Sequence, residues 1–564
     1  MITKLVLRNF KRISEQTFDF TDFDLLVGRN NTGKSTILQA IAIWQFCVDE
    51  FQRAKRKGKS GIQIVLPNFS ALPVPEFSLL WKDRTERRTV TKNNGKSQEY
   101  ILIEISLTWL ACDQKEHTFG IQLRYQSPQA VYAIPVKGWN EFSKYREMLP
   151  TIAYVPPFSG LEPSEEWRDI SVIKKQVGKA QPGSVLRNLL LLVRQSPDLL
   201  GDWQEIARAV RHWFSIDLQE PQYEKGVDTL IRCEYKQGKK TYDIIAGGSG
   251  FHQALTMLAF LYGYSPTTIL LDEPDAHLHV NLQREVLDFF KQQSVDRPTQ
   301  FLIATHAEEL VNGVASNQIV SLHSGEPTRN RPVNRLLAAM ADVSNQEETQ
   351  LRQSPYLLYV EGESDARLIR AWALKLSQQK SLGRFCFHYM HGGNKKQMME
   401  EAGKHYEAVK EIMPEVQRII ILDFNGESDF HPEPDNPALF EWPRRNIENY
   451  LLVPDAWVRC IHKHLKIEED DLFAPDVRPM IMDYFAAQNL TLPKGSDWKN
   501  LSANVFKVVD GKGLLFTGDK ALASQVTKRF PNAHPTQESV ALSMDESEIH
   551  EDVLALFSKL AAIS

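Results

Sequence analysis

Apolar residues along this chain fall into two rhythms. Residues 2–7 alternate apolar with polar, and residues 18–27 end in the run Phe23-Asp24-Leu25-Leu26-Val27, which predicts two strands around a turn. Residues 36–46 are apolar and helix-compatible and predict a helix soon after that run. Between residues 62 and 135 lie β-rich runs at 77–81, 100–110, 119–124 and 130–134, separated by turn signals such as Asn93-Asn94-Gly95. A further strand at 152–155 is ended by Pro156-Pro157. Residues 164–214 read as helical, with Leu186, Leu189, Leu190 and Val193 at helix spacing, and form a candidate arm inserted into the fold. TTILLD (267–272) and QFLIAT (300–305) are short, wholly apolar strands flanked by helical sequence, the pattern of a buried parallel sheet.

From 324 to 354 the chain turns polar, and a domain boundary is expected there. A new α/β pattern follows: strand 357–360, helix 365–376, strand 418–422. The expected class is therefore α/β, with one domain over 1–340 and a second over 355–564 that ends in a helical extension.

At 564 residues the chain exceeds a single core, in keeping with several domains. A net charge of −5 gives no global basic field. Arg53, Lys55, Arg56, Lys57 and Lys59 form a local basic stretch, which a solvated helix end explains equally well. The five cysteines form no CxxC pair, so a reducing cytoplasm is the expected compartment. No apolar signal core opens the chain and no run is long enough to span a bilayer, so no membrane partner is expected.

GRNNTGKST (28–36) follows the first apolar run and fits the phosphate-loop pattern, with Gly28, Gly33, Lys34 and Ser35 at its defining positions. Glycines let backbone N–H groups curl around phosphate oxygens. Lys34 brings charge to the β- and γ-phosphates, and the Ser35 hydroxyl is a Mg2+ ligand. Asn30, Asn31 and Thr36 complete the candidate contacts to ATP. In TILLDEPDAHLH (268–279), Asp272 and Glu273 stand at the exit of a buried strand, where one holds Mg2+ and the other polarises the attacking water. GGSGFHQAL (247–255) opens a helix at Ser249 and Gly250, a second anion-binding design, and Ala304-Thr305-His306 ends the next strand.

That order of motifs resembles the ABC-type ATPases of the SMC/RecF/OLD group, as does the opening LVLRNFKRI, over roughly residues 1–340. The resemblance implies an ATP sandwich between two copies, a homodimer or higher homo-oligomer. Ser249 and Gly250 of one copy would face the γ-phosphate held by Lys34 of the other, with Asp275 at the dimer contact and His306 on the γ-phosphate. The chain has Gly-Gly-Ser-Gly-Phe-His-Gln where that group usually has Leu-Ser-Gly-Gly-Gln.

In the second half, YLLYVEGESDARLI (356–369) puts Glu361 at a strand end and Asp365 at a helix start. RIIILDFNGESD (418–429) repeats the design with Asp423, Asn425, Glu427 and Asp429. Carboxylates at the C-terminal ends of neighbouring parallel strands converge on one crevice, and clustered carboxylates call for a divalent cation, Mg2+ or Mn2+ for oxygen donors. These stretches resemble TOPRIM domains fused to ATPases in OLD-family endonucleases and related phage-defence effectors. Asn425 stands where that family usually has a second Asp. RRNIENYLL (444–452) and GKGLL (511–515) resemble later elements of the same domains. They add Glu448 as a metal ligand and Lys512 as a group that steadies charge on the scissile phosphate.

The resemblance implies an ATP-regulated, metal-dependent endonuclease acting in antiphage defence, with catalytic residues Glu273, Glu361, Asp423 and Lys512. The substrate would be nucleic acid, DNA favoured over RNA, with room for a defence-system partner protein or RNA. The alternative is an ATP-dependent nucleic-acid clamp or sensor whose second domain does not cut.

Overall fold

A computed structural model describes the chain except residues 31, 55–60, 93–94, 159, 179–180, 196–199, 323–326, 391–393, 425–435, 437, 468–476 and 564. The chain divides into two compact units, Met1–Met340 and Ala341–Ser564.

The first unit is built on a five-stranded sheet in the order Ile152–Val155, Thr268–Asp272, Gln300–Thr305, Phe23–Val27, Ile319–Ser321. Every neighbouring pair in it is parallel. Side chains alternate between its faces. Leu26, Leu270 and Leu302 join one core, and Leu25, Leu271 and Ile303 join the other, so these strands show no polar face. A six-stranded antiparallel sheet, in which Ile2–Phe10 and Ile103–Leu110 are central, covers the first face through the helix Lys34–Arg53. That helix buries residues on every side, including Ile37, Ile41 and Trp44, because it is packed between two sheets.

Two expectations change here. Residues 77–81 are not a strand: Phe77–Leu80 is a 3-10 turn that drops Phe77, Leu80 and Trp81 into the core. Residues 164–214 are helical in part, but they do not stand apart as an arm. Leu186, Leu189, Leu190 and Val193 are fully buried on the second face of the parallel sheet. Buried Glu165 accepts the backbone N–H groups of Arg187 (2.9 Å) and Asn188 (3.1 Å), and Arg187 pairs with Asp243 at 2.8 Å, which stitches the segment in place. The Asn93-Asn94 turn signal lies outside the described residues, between paired strands Arg87–Lys92 and Gly95–Tyr100.

The second unit holds a four-stranded parallel sheet in the order Phe385–Tyr389, Tyr356–Val360, Gln417–Leu422, Leu439–Glu441. Helices from Pro454 to Ile563 close its core around Trp372, Trp442, Tyr450 and Trp457. The polar stretch read as a boundary is partly helical. Ser344 caps Asn345–Gln353 by accepting the Glu347 N–H at 3.1 Å, and Leu351 is fully buried. Among the described residues no helix is long and apolar enough to cross a membrane.

Candidate nucleotide site and carboxylate centre

The loop after Phe23–Val27 curls at the C-terminal edge of the first parallel sheet. Gly33 adopts φ +104°, a left-handed conformation that a side chain would strain, and the helix begins at Lys34. Lys34 is only 4% exposed, and its Nζ donates to the carbonyls of Gly28 (2.7 Å) and Arg29 (3.0 Å). Burial lowers its pKa while the carboxylates of Glu273, Asp272 and Asp275 oppose that shift. A buried ammonium satisfied by loop carbonyls is poised to exchange them for phosphate oxygens.

Asp272 bridges the site. Its Oδ1 accepts from the Ser35 hydroxyl at 2.8 Å and its Oδ2 from the Tyr154 hydroxyl at 3.0 Å. Burial raises its pKa against those two hydrogen bonds. A hydroxyl and a desolvated carboxylate side by side make a donor set that fits Mg2+. Glu273 sits at φ 51°, in a left-handed conformation that costs on the order of 1 kcal/mol. Its N–H donates to the Ala304 carbonyl at 2.9 Å, and Gln253 donates to its own carbonyl at 3.0 Å, so the turn is locked. The exposed His306 ring lies 3.6 Å from the Glu273 carboxylate.

Gly28, Asn30, Thr36 and the residues above gather at this edge, and Asn31 lies outside the described residues. Ser249 and Gly250 open the helix Ser249–Tyr264, with Ser249 exposed. Among the described residues neither shares a hydrogen bond with the phosphate loop; Gln253, one turn on, ties the helix to the Glu273 carbonyl. Asp275 departs from expectation. It is 5% exposed and accepts from the Thr305 hydroxyl at 2.6 Å, so its carboxylate serves the inside of the unit, and the outward positions are Ala276 and His277. Sequence reasoning missed Tyr154 and Lys11. Lys11, whose Nζ donates to Gln39, stands within LVLRNFKRI and feels the Asp272 charge.

In the second unit Glu361 and Asp423 end adjacent strands, and the Asp423 N–H donates to Glu361 Oε1 at 3.0 Å. Asp423 Oδ1 accepts the Ile447 N–H at 3.0 Å, which draws in the turn Ile447–Leu451 and with it Glu448. Asp365 accepts the Gly362 N–H at 3.1 Å at the start of its helix. The four carboxylates act on one another. Burial, then the charges of Glu361, Asp365 and Glu448, hold Asp423 well above the carboxylate range. Burial, then Glu448 and Glu361, push Asp365 up to about 6, with Lys512 opposing. Burial also raises Glu448, against Lys512 and the Gln537 amide at 3.3 Å. Burial and neighbouring negative charge thus raise Asp365, Asp423 and Glu448, but among the described residues no three of these acids bring ligand oxygens within 4.8 Å of one another. Asn425, Glu427 and Asp429 lie outside the described residues.

Buried Asn449 builds the other side. Its side chain accepts the Gly511 N–H at 3.2 Å and donates to the carbonyls of Val509 (2.8 Å) and Phe506 (2.9 Å). A Cβ on Gly511 would lie 2.5 Å from Asn449 Oδ1, so only glycine allows the approach. This contact sets Lys512, at the start of Gly511–Leu515, opposite Glu448. Asn449→Ala strands several buried polar groups. It should cost on the order of 3 kcal/mol in urea unfolding and reduce any phosphodiesterase activity.

Two family models match the chain. One, described as "AAA ATPase domain", covers residues 1–102. The other, described as "AAA domain, putative AbiEii toxin, Type IV TA system", covers residues 177–312. No curated protein matches. Similar solved structures include an SMC head bound to the C-winged helix domain of ScpA, at 17% identity and TM-score 0.36, covering 58% of this chain and 97% of that one. An SMC head with an extended coiled coil, bound to a ScpA domain derived from Pyrococcus furiosus, gives 18%, 0.34, 58% and 95%. The SMC head of Thermotoga maritima gives 16%, 0.30, 57% and 94%. The matches over residues 1–102 and 177–312 thus support an ATPase of the AAA-like kind.

Proposed function

We propose that this chain is an ATP-regulated nuclease of the OLD-like kind, hydrolysing nucleic-acid phosphodiester bonds in its second unit, which we read as a TOPRIM domain. The observation that carries the reading is the placement of Glu361 and Asp423 at the ends of adjacent parallel strands, joined by the Asp423 N–H on Glu361 at 3.0 Å, with the Glu448 turn drawn in through the Ile447 N–H on Asp423 at 3.0 Å. Such a set suits a substrate that brings negative charge and a divalent cation together. A cation held by these acids supplies water activation and charge neutralisation on the leaving oxygen. Lys512 holds a non-bridging phosphate oxygen, and the backbone around Asp423 keeps Glu361 in register.

In the first unit, Lys34 and the loop N–H groups would hold the β- and γ-phosphates of a bound nucleotide, Ser35 and Asp272 would hold Mg2+, and Glu273 would orient the attacking water. The exposed Ser249 edge suits contact with a second copy across the nucleotide, so that ATP assembles a homodimer and hydrolysis resets it. Cleavage of invading nucleic acid, DNA before RNA, is the defence role consistent with this chemistry.

The test is direct. Full-length protein is incubated with plasmid, linear DNA and tRNA, with Mg2+ or Mn2+ and with or without ATP. Cleavage that Glu361→Gln removes and the surface change Asp519→Asn leaves intact is the expected result. ATP-dependent DNA retention with no cleavage under either cation would instead favour the clamp.

A further inference from the structure

Away from the carboxylate centre, the second unit brings together three side chains that no sequence spacing links. Glu347 lies in the first turn of Asn345–Gln353, His388 on the edge strand Phe385–Tyr389, and His405 on the helix Lys395–Ile412. One ligand atom from each falls within 4.8 Å of the others. Glu347 Oε1 is 3.3 Å from His388 Nδ1 and 3.3 Å from His405 Nε2. We infer that Glu347, His388 and His405 form a binding site for a zinc-class divalent cation, separate from the Mg2+-type sites of the two catalytic centres.

Four observations support this. First, the spacing fits. A tetrahedral cation with bonds of about 2.0–2.2 Å sets its donors roughly 3.3–3.5 Å apart. Second, His405 is 4% exposed, and its Nε2 makes no hydrogen bond of good geometry, facing only the Glu347 carboxylate at 3.3 Å. Third, the other ring nitrogen of His405 meets the Tyr359 hydroxyl at 2.8 Å, the outer contact that fixes ring orientation in metal-ligating histidines. Fourth, the His388 and His405 rings stack at 3.7 Å between centroids. The stacking holds both rings side by side against the one carboxylate.

The donor chemistry selects the metal. Two imidazoles and one carboxylate suit Zn2+ and its transition-series neighbours rather than Mg2+, which prefers oxygen ligands. Glu347 and His388 also line an open cleft of about 680 Å3, together with Ser344, Gln350, Arg370 and Tyr389. The cation would pin the first helix of this unit to the sheet edge and to Lys395–Ile412.

The test uses metal-stripped full-length protein titrated with Zn2+ under excess Mg2+, which saturates the oxygen-donor sites. We expect one tightly bound equivalent in the wild-type protein, retained in Glu361→Gln and weakened about tenfold or more in His388→Gln and Glu347→Gln. Electron paramagnetic resonance of the Cu2+-loaded wild-type protein reads the ligands without any substitution and should show coupling to two imidazole nitrogens. Absence of a bound equivalent, binding unchanged in both variants, or a spectrum without nitrogen coupling would each overturn the inference.

Discussion

Glu273→Gln is expected to bind ATP as the unaltered chain does and to hydrolyse it on the order of 10²–10⁴-fold more slowly. The two neighbouring acids divide the work by their surroundings. Both oxygens of Asp272 are engaged, by Ser35 and Tyr154, and it is buried beside Lys34. Among the described residues the Glu273 carboxylate meets only His306, at 3.6 Å, which leaves an oxygen free for water. Its left-handed backbone, anchored through Ala304, aims the side chain and is unaffected by the amide replacement. Phosphate release and equilibrium nucleotide binding, measured on the same preparation, separate the two effects. The slow variant with ATP should also accumulate as a dimer in sedimentation, and Ser249→Arg should prevent that. Turnover within about tenfold of the unaltered chain would assign water activation to another group.

The strands that carry the candidate nucleotide residues were legible because each is one contiguous apolar run. Residues 268–272 and 300–305 are buried on both faces, so their apolar runs needed no tertiary knowledge to be read as parallel strands. Tyr154 was not legible as a ligand neighbour. It reaches Asp272 only because Ile152–Val155 pairs with Thr268–Asp272, with Tyr154 beside Leu270. The run at 77–81 misled because its apolar residues suit a strand, while the chain uses them as a one-turn plug under the antiparallel sheet. Helical spacing at 186–193 was correct, but periodicity alone does not say which surface an apolar face will cover. In the second unit, the apolar runs before Glu361 and Asp423 were legible as strands, and both acids directly follow them. The support from Asn449 and Gly511 depends on two segments about sixty residues apart meeting, and only the fold reveals that.

Asp423→Asn should abolish cleavage, by about 10³-fold or more, while making the cation-free protein more stable. Those opposite signs follow from the same cluster. Asp423 is held well above its ordinary range by burial and by three neighbouring acids, so its charged form destabilises the fold at neutral pH. Asp365 in the same cluster is raised as well, from 3.8 to about 6. A raised carboxyl binds more protons in the folded than in the unfolded state. Its stabilising effect is therefore full below about pH 4 and is lost as pH climbs through about 6, at a cost on the order of 3 kcal/mol by neutrality. The amide in Asp423→Asn keeps an oxygen for the Ile447 N–H but removes the charge. In chelator at about pH 7 the variant should melt several degrees higher than the unaltered chain, at roughly 2–4 °C per kcal/mol, and the gap should close near pH 4. Adding Mn2+ should raise the melting temperature of the unaltered chain by a similar amount and leave the variant where it was, because a ligand stabilises only the state that binds it. A variant that melts lower in chelator, or that still responds fully to Mn2+, would mean that these acids neither repel one another nor share an ion.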